Sequence, residues 1–66
     1  LMHNVFSRLR MLRFGEQLTQ MQLADVLGVS RKTINALELG RCQPSFSLAQ
    51  KCAKYFGLTA EQIFPL

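Results

Sequence analysis

Arg31, Lys32 and Asn35 stand close together and carry hydrogen-bonding groups with no acid–base work to do. A guanidinium and an ammonium only donate, whereas a carboxamide donates and accepts. No nucleophile and base stand beside them, so catalysis is a poor reading. These groups suit the edges of nucleic-acid bases. Arg and Lys donate to guanine O6 and N7, and Asn pairs with adenine. The spacing predicts a helix from Arg31, and at 3.6 residues per turn Ile34 and Leu37 form its inner face. Lys32, Asn35, Ala36 and Leu39 then point outward, and Arg31 projects from the first turn. A solvated polar face is the usual account of such residues on a lone helix, so the decision rests on what surrounds them.

What surrounds them is a two-helix unit from Gln20 to Leu39. Thr19 with Gln22 three residues later is the signature of a capping box for a helix starting at Gln20. Leu23 and Leu27, four apart, face one way, and Ala24 is small enough for another helix to cross nearby. Gly28 supplies the left-handed residue that ends the helix. Val29 plugs the corner, and Ser30 caps the next helix. Two helices at a steep angle across a tight glycine-containing turn place the second one for entry into a DNA major groove.

Phosphate groups are met by helix N-termini, whose free amides point outward. Two such ends are expected. One is Thr19 to Gln22, where the Gln20 side chain also reaches a phosphate. The other is Ser45, Phe46 and Ser47 just past Pro44, with Arg41 adding a cation from the preceding loop. Glu38 and Thr33 flank the inner stripe of the second helix. A half-buried carboxylate needs a partner. Arg13 on the first helix is the candidate, as a structural ion pair that does not touch DNA. Arg8 and Arg10 read as exposed and solvated.

The remaining sequence reads as one all-α domain, residues 1–66, of five helices joined by short turns. The first is expected from about Asn4 to Phe14, with Val5, Leu9 and Leu12 on one stripe and Gly15 at its end. The second and third run about 20–27 and 31–39, with Gly40 stopping the third. A fourth, capped by Ser45, reaches Phe56 with Leu48, Ala49, Cys52, Ala53 and Phe56 inward, and Gly57 ends it. Thr59 and Gln62 form a second capping box for a short fifth helix, Ala60 to Phe64.

Eight Lys and Arg against four Asp and Glu give a net charge of +4, which favours a polyanionic partner without specifying sequence. His3 is the single histidine, and Cys42 and Cys52 form no CxxC pair, too few ligands for a zinc site. Neither a metal nor another cofactor is expected. Cys52 falls at an inward position as a small core residue, and Cys42 in a loop. No apolar run approaches the roughly 18 residues of a membrane span, and no secretory signal is evident, so a cytoplasmic protein is expected. Leu1 precedes Met2, the alternative start.

The residues from about Leu9 to Phe64 resemble the phage-repressor/Cro-like helix-turn-helix family, also called the XRE family. The likeness rests on Leu12-Arg13, Leu18-Thr19-Gln20, Leu23-Ala24, Leu27-Gly28-Val29-Ser30-Arg31, Thr33-Ile34, Leu37-Glu38, Gly40-Arg41, Pro44-Ser45, Ala53, Phe56-Gly57-Leu58 and Ile63-Phe64. The resemblance implies a five-helix DNA-binding domain acting as a dimer on a near-palindromic operator. It implies Gln20 at a phosphate, Arg31, Lys32, Asn35 and Ala36 at bases, and Arg13 paired with Glu38. The chain departs from the pattern at three places. Leu39 stands where Asn is common, Cys42 where Tyr or a base is common, and Gln17 where Gly is common before Leu18.

Sequence alone therefore implies a double-stranded DNA-binding transcriptional regulator, a repressor working as a homodimer. A single short recognition helix makes too few base contacts to discriminate against a genome. Tyr55, Phe64 and Leu66 are the expected dimer patch. The second reading is a protein-interaction module, such as an antitoxin-like partner, using Phe46, Tyr55 and Phe64-Pro65-Leu66. An enzyme is not expected, nor, at this length, is a separate ligand-sensing domain.

Overall fold

The structure, a computed structural model, describes residues 7–65; the expectations for His3, Val5 and Leu66 lie outside the described residues. Five helices follow in order: α1 (Arg8–Gly15), α2 (Gln20–Leu27), α3 (Arg31–Glu38), α4 (Phe46–Phe56) and α5 (Ala60–Ile63). No strand occurs among the described residues. α2 packs chiefly on α3, α1 lies across α3 and α5, and α4 supports α2 and α5.

Each helix starts on a hydroxyl residue that accepts from a backbone N–H of the first turn. These are Ser7, Thr19, Ser30, Ser45 and Thr59, and both capping boxes form. The expected start of α1 at Asn4 is corrected by this pattern. Ser7 is extended and accepts from the Arg10 amide, so the helix begins at Arg8.

The C-terminal ends share a second device. After α2, the Val29 N–H reaches the Ala24 carbonyl and the Gly28 N–H that of Asp25. This paired closure needs a left-handed residue at the turn. Gly28, Gly40 and Gly57 take it, with φ between 69° and 73°. α1 closes in the same way, through Leu18 to Arg13 and Gln17 to Phe14. There the left-handed residue is Gln17, φ 58°. Gly15 is still helical, so the expected ending at Gly15 shifts to Gln17. α3 and α5 each end one residue earlier than expected, with Leu39 and Phe64 as their C-caps.

Leu9, Leu23, Ala24, Leu27, Ile34, Leu37, Leu48, Cys52, Ala53 and Ile63 form one core, with Leu12, Val29, Phe56 and Phe64 packed at its edge. This core holds α2 and α3 in fixed relation while leaving the outer side of α3 uncovered.

Candidate nucleic-acid interface

Arg31 and Lys32 are exposed in the first turn of α3, one turn before the half-buried Asn35 and Ala36. Their helix begins at Ser30, whose hydroxyl oxygen accepts from the Thr33 amide. The Arg31 guanidinium donates through Nη1 to Gln20 Oε1 at 3.0 Å. Lys32 has no hydrogen-bond partner among the described residues. The outer face of α3 therefore presents one tethered cation, one free cation and an amide.

Gln20 joins these residues to the interior. Its Nε2 donates to Asn35 Oδ1 at 3.2 Å and to Glu38 Oε1 at 3.1 Å. Glu38 in turn accepts from Arg13, Nε to Oε2 at 2.6 Å and Nη2 to Oε1 at 3.0 Å. The Arg13 Nη1 donates to the Leu18 carbonyl at 2.9 Å, just ahead of α2. Both ions are buried, and this fork-to-fork geometry is the stronger kind of charge-assisted contact. One continuous polar chain thus runs from α1 through α3 and α2 to the exposed Arg31.

The amide of Gln20 has both hydrogens committed, so its side chain has none spare for a phosphate. Free donors exist nearby. Thr19 satisfies the amides of Gln22 and Leu23, leaving those of Gln20 and Met21 unpartnered among the described residues. Ser45 likewise caps α4, its hydroxyl accepting from Leu48 and its carbonyl from Ala49, which leaves the Phe46 and Ser47 amides open. Arg41 is exposed in the intervening loop, and the Phe46 ring stands 79% exposed.

Arg10, which the sequence reads as exposed and solvated, is half-buried in a more definite setting. A cleft of about 160 Å3 opens between α1 and the α2–α3 pair, lined by Arg10, Arg13, Gln20, Asn35, Glu38 and Leu39. The Arg10 and Arg13 guanidinium carbons lie 5.3 and 4.7 Å from the centre of the Phe14 ring. Cation–π contact of this kind orients a guanidinium without neutralising it. Helical spacing alone did not reveal this, because the cleft arises only when α1 crosses α3. Leu39 is also on this wall, in place of a polar contact. Arg8 instead donates to the Gln62 carbonyl at 2.7 Å and ties α1 to α5.

Cys52 is fully buried, and burial pushes its thiol up to about 11, whereas Cys42 is exposed. Among the described residues no group of side chains could hold a metal ion, and no helix is long and apolar enough to cross a membrane.

Comparison with known proteins places the chain in a family. The family model for the helix-turn-helix domain matches residues 7–64. An uncharacterized HTH-type transcriptional regulator of Methanocaldococcus jannaschii is 50% identical over 58 residues, 88% of each chain. One of Archaeoglobus fulgidus is 41% identical over 58 residues, 88% of this chain and 83% of its own. The HTH-type transcriptional activator BcrR of Enterococcus faecalis is 38% identical over 56 residues, 85% of this chain but 28% of that protein. With the two-helix corner, its capped α3 and these relatives together, the chain belongs to the helix-turn-helix family and is a DNA-binding transcriptional regulator.

Proposed function

We propose that the protein is a repressor of the phage-repressor type that inserts α3 into the major groove as a symmetric homodimer in the cytoplasm. The observation that carries this reading is the outer face of α3. Arg31, Lys32 and Asn35 are held there by a rigid corner, with unpartnered amides at the starts of α2 and α4. In this reading Arg31, Lys32, Asn35 and Ala36 meet base edges. The amides of Gln20, Met21, Phe46 and Ser47, with Ser45 at the α4 cap, meet phosphates, and Arg10 and Arg41 add charge. Gln20 acts through its neighbours as a positioning residue. Arg13 and Glu38 hold the helices and touch no DNA. Occupying an operator is enough to block transcription, so no enzymatic activity is required.

Two copies about a two-fold axis would set their recognition helices about 34 Å apart, in successive major grooves. Tyr55 is exposed on α4 and available to the partner copy, whereas Phe64 packs against the core. Selection of bound sequences from a random DNA pool tests the reading. The expected site has two inverted half-sites centred about 10–11 base pairs apart and binds two chains per duplex. A site without dyad symmetry, saturated by one chain, overturns the dimer.

A further inference from the structure

We propose that Asn35 reads its base as a hydrogen-bond donor only and selects guanine, because Glu38 and Arg31 fix the polarity of the amide chain that ends on it. The proposal deepens the reading of α3 as the groove helix and rests on it.

The argument starts from two groups that cannot change roles. A carboxylate such as Glu38 only accepts, and a guanidinium such as Arg31 only donates. Gln20 lies between them, with Nε2 on Glu38 Oε1 and Oε1 on Arg31 Nη1. Turning its amide over would set oxygen against the carboxylate and NH2 against the guanidinium, two repulsive contacts in place of two charge-assisted bonds. The orientation of Gln20 is therefore dictated from both ends.

The same Nε2 faces the Asn35 amide at 3.2 Å. Since Nε2 can only donate, Asn35 must offer its oxygen. The Oδ1 end turns inward and the Nδ2 end outward. No buried side-chain nitrogen or oxygen among the described residues lacks a partner. Nδ2 has no partner among them, so it keeps contact with solvent and its hydrogens are not engaged by the described residues.

Adenine recognition by Asn needs the amide's oxygen and nitrogen together at the outer edge, one for N6 and one for N7. With Oδ1 held by Gln20, that edge offers nitrogen alone. Guanine answers it best, since N7 and O6 are adjacent acceptors. Thymine offers one acceptor, adenine one beside a competing donor, and cytosine a donor. Glu38 thus sets a base preference without touching DNA.

Sequence selection with four proteins tests this. The wild type should enrich guanine at one position per half-site, favoured over adenine about tenfold, the scale of one good base contact. Asn35→Ala should make that position indifferent. Asn35→Asp, still able to accept from Gln20 but presenting only an acceptor outward, should move the preference to cytosine. Gln20→Met removes the donor that holds Oδ1 and should raise adenine to parity with guanine. Adenine at the Asn35-dependent position in the wild type overturns the donor assignment while leaving the groove reading intact. An unchanged preference in Gln20→Met overturns it as well. If no sequence is enriched by any of the four, the groove reading itself fails.

Discussion

Arg13 and Glu38 are 25 residues apart in sequence and joined by two hydrogen bonds, the shorter 2.6 Å. The pair clamps α1 to α3, and its members are 7% and 3% exposed. Removing one leaves the other charged and buried, so Arg13→Ala and Glu38→Ala should each lose about 3 kcal/mol, near the lower bound for breaking such pairs. A double-mutant cycle by urea unfolding should give a coupling of at least about 0.5 kcal/mol. Strictly additive losses would show that the contact does not form in solution.

Arg31 and Lys32 should govern sequence preference. Replacing either with Ala should weaken binding to the selected site by about 1–3 kcal/mol and relax preference at one or two base pairs. Competition binding against single-base variants of the site measures both effects. Undiminished selectivity in both variants would remove these residues from the base-reading set.

Arg10 and Arg41 should act through charge alone. Each Ala variant should weaken cognate and random duplex alike and lower the slope of log affinity against log salt by about 1. A loss confined to the cognate site would contradict the phosphate role.

Cys52 makes stability depend on alkaline pH. An exposed thiol in the unfolded chain ionises near 9.0, whereas the buried thiol holds its proton to about 11. Between these values the folded state binds more protons, so stability falls as pH rises through that window, by roughly 3 kcal/mol in all. Well below pH 9 this contribution to stability is constant. Urea titrations of the protein and of Cys52→Ala, compared from pH 8 to 11, should diverge only over that interval. Parallel curves would show that the thiol is hydrated.

Much of this fold was legible because its signals are local. Thr19, Ser30, Ser45 and Thr59 each cap the helix that follows, and Gly28 and Gly57 each end the one before. Such devices act over three or four residues, and spacing exposes them. The α1 boundaries depart from the expected ones for the same reason. Ser7 resembles any other serine until its cap is seen, and Gln17 carries no compositional mark of a left-handed residue. In the site, helical period is enough to place Arg31, Lys32 and Leu39 on the exposed side of α3, whereas Asn35 and Ala36, expected outward as well, are half-buried. The bonds from Gln20 to Arg31, Asn35 and Glu38, and the cleft beside Arg10, depend on how α1 and α2 cross α3. That relation is tertiary, and no local pattern encodes it.

The left-handed Gln17 has a bearing on how this domain tolerates change. Its side chain is exposed, and its backbone closes α1 by the same two bonds that glycine closes elsewhere. A side chain with a Cβ costs about 1 kcal/mol in that conformation, so the position holds a reserve that Gly would release. It lies in the turn between α1 and α2 and lines no part of the cleft. Robustness against heat and choice of operator are therefore separately adjustable in this chain. The first can be gained at residue 17 and used to absorb destabilising changes on α3 that give a new target sequence.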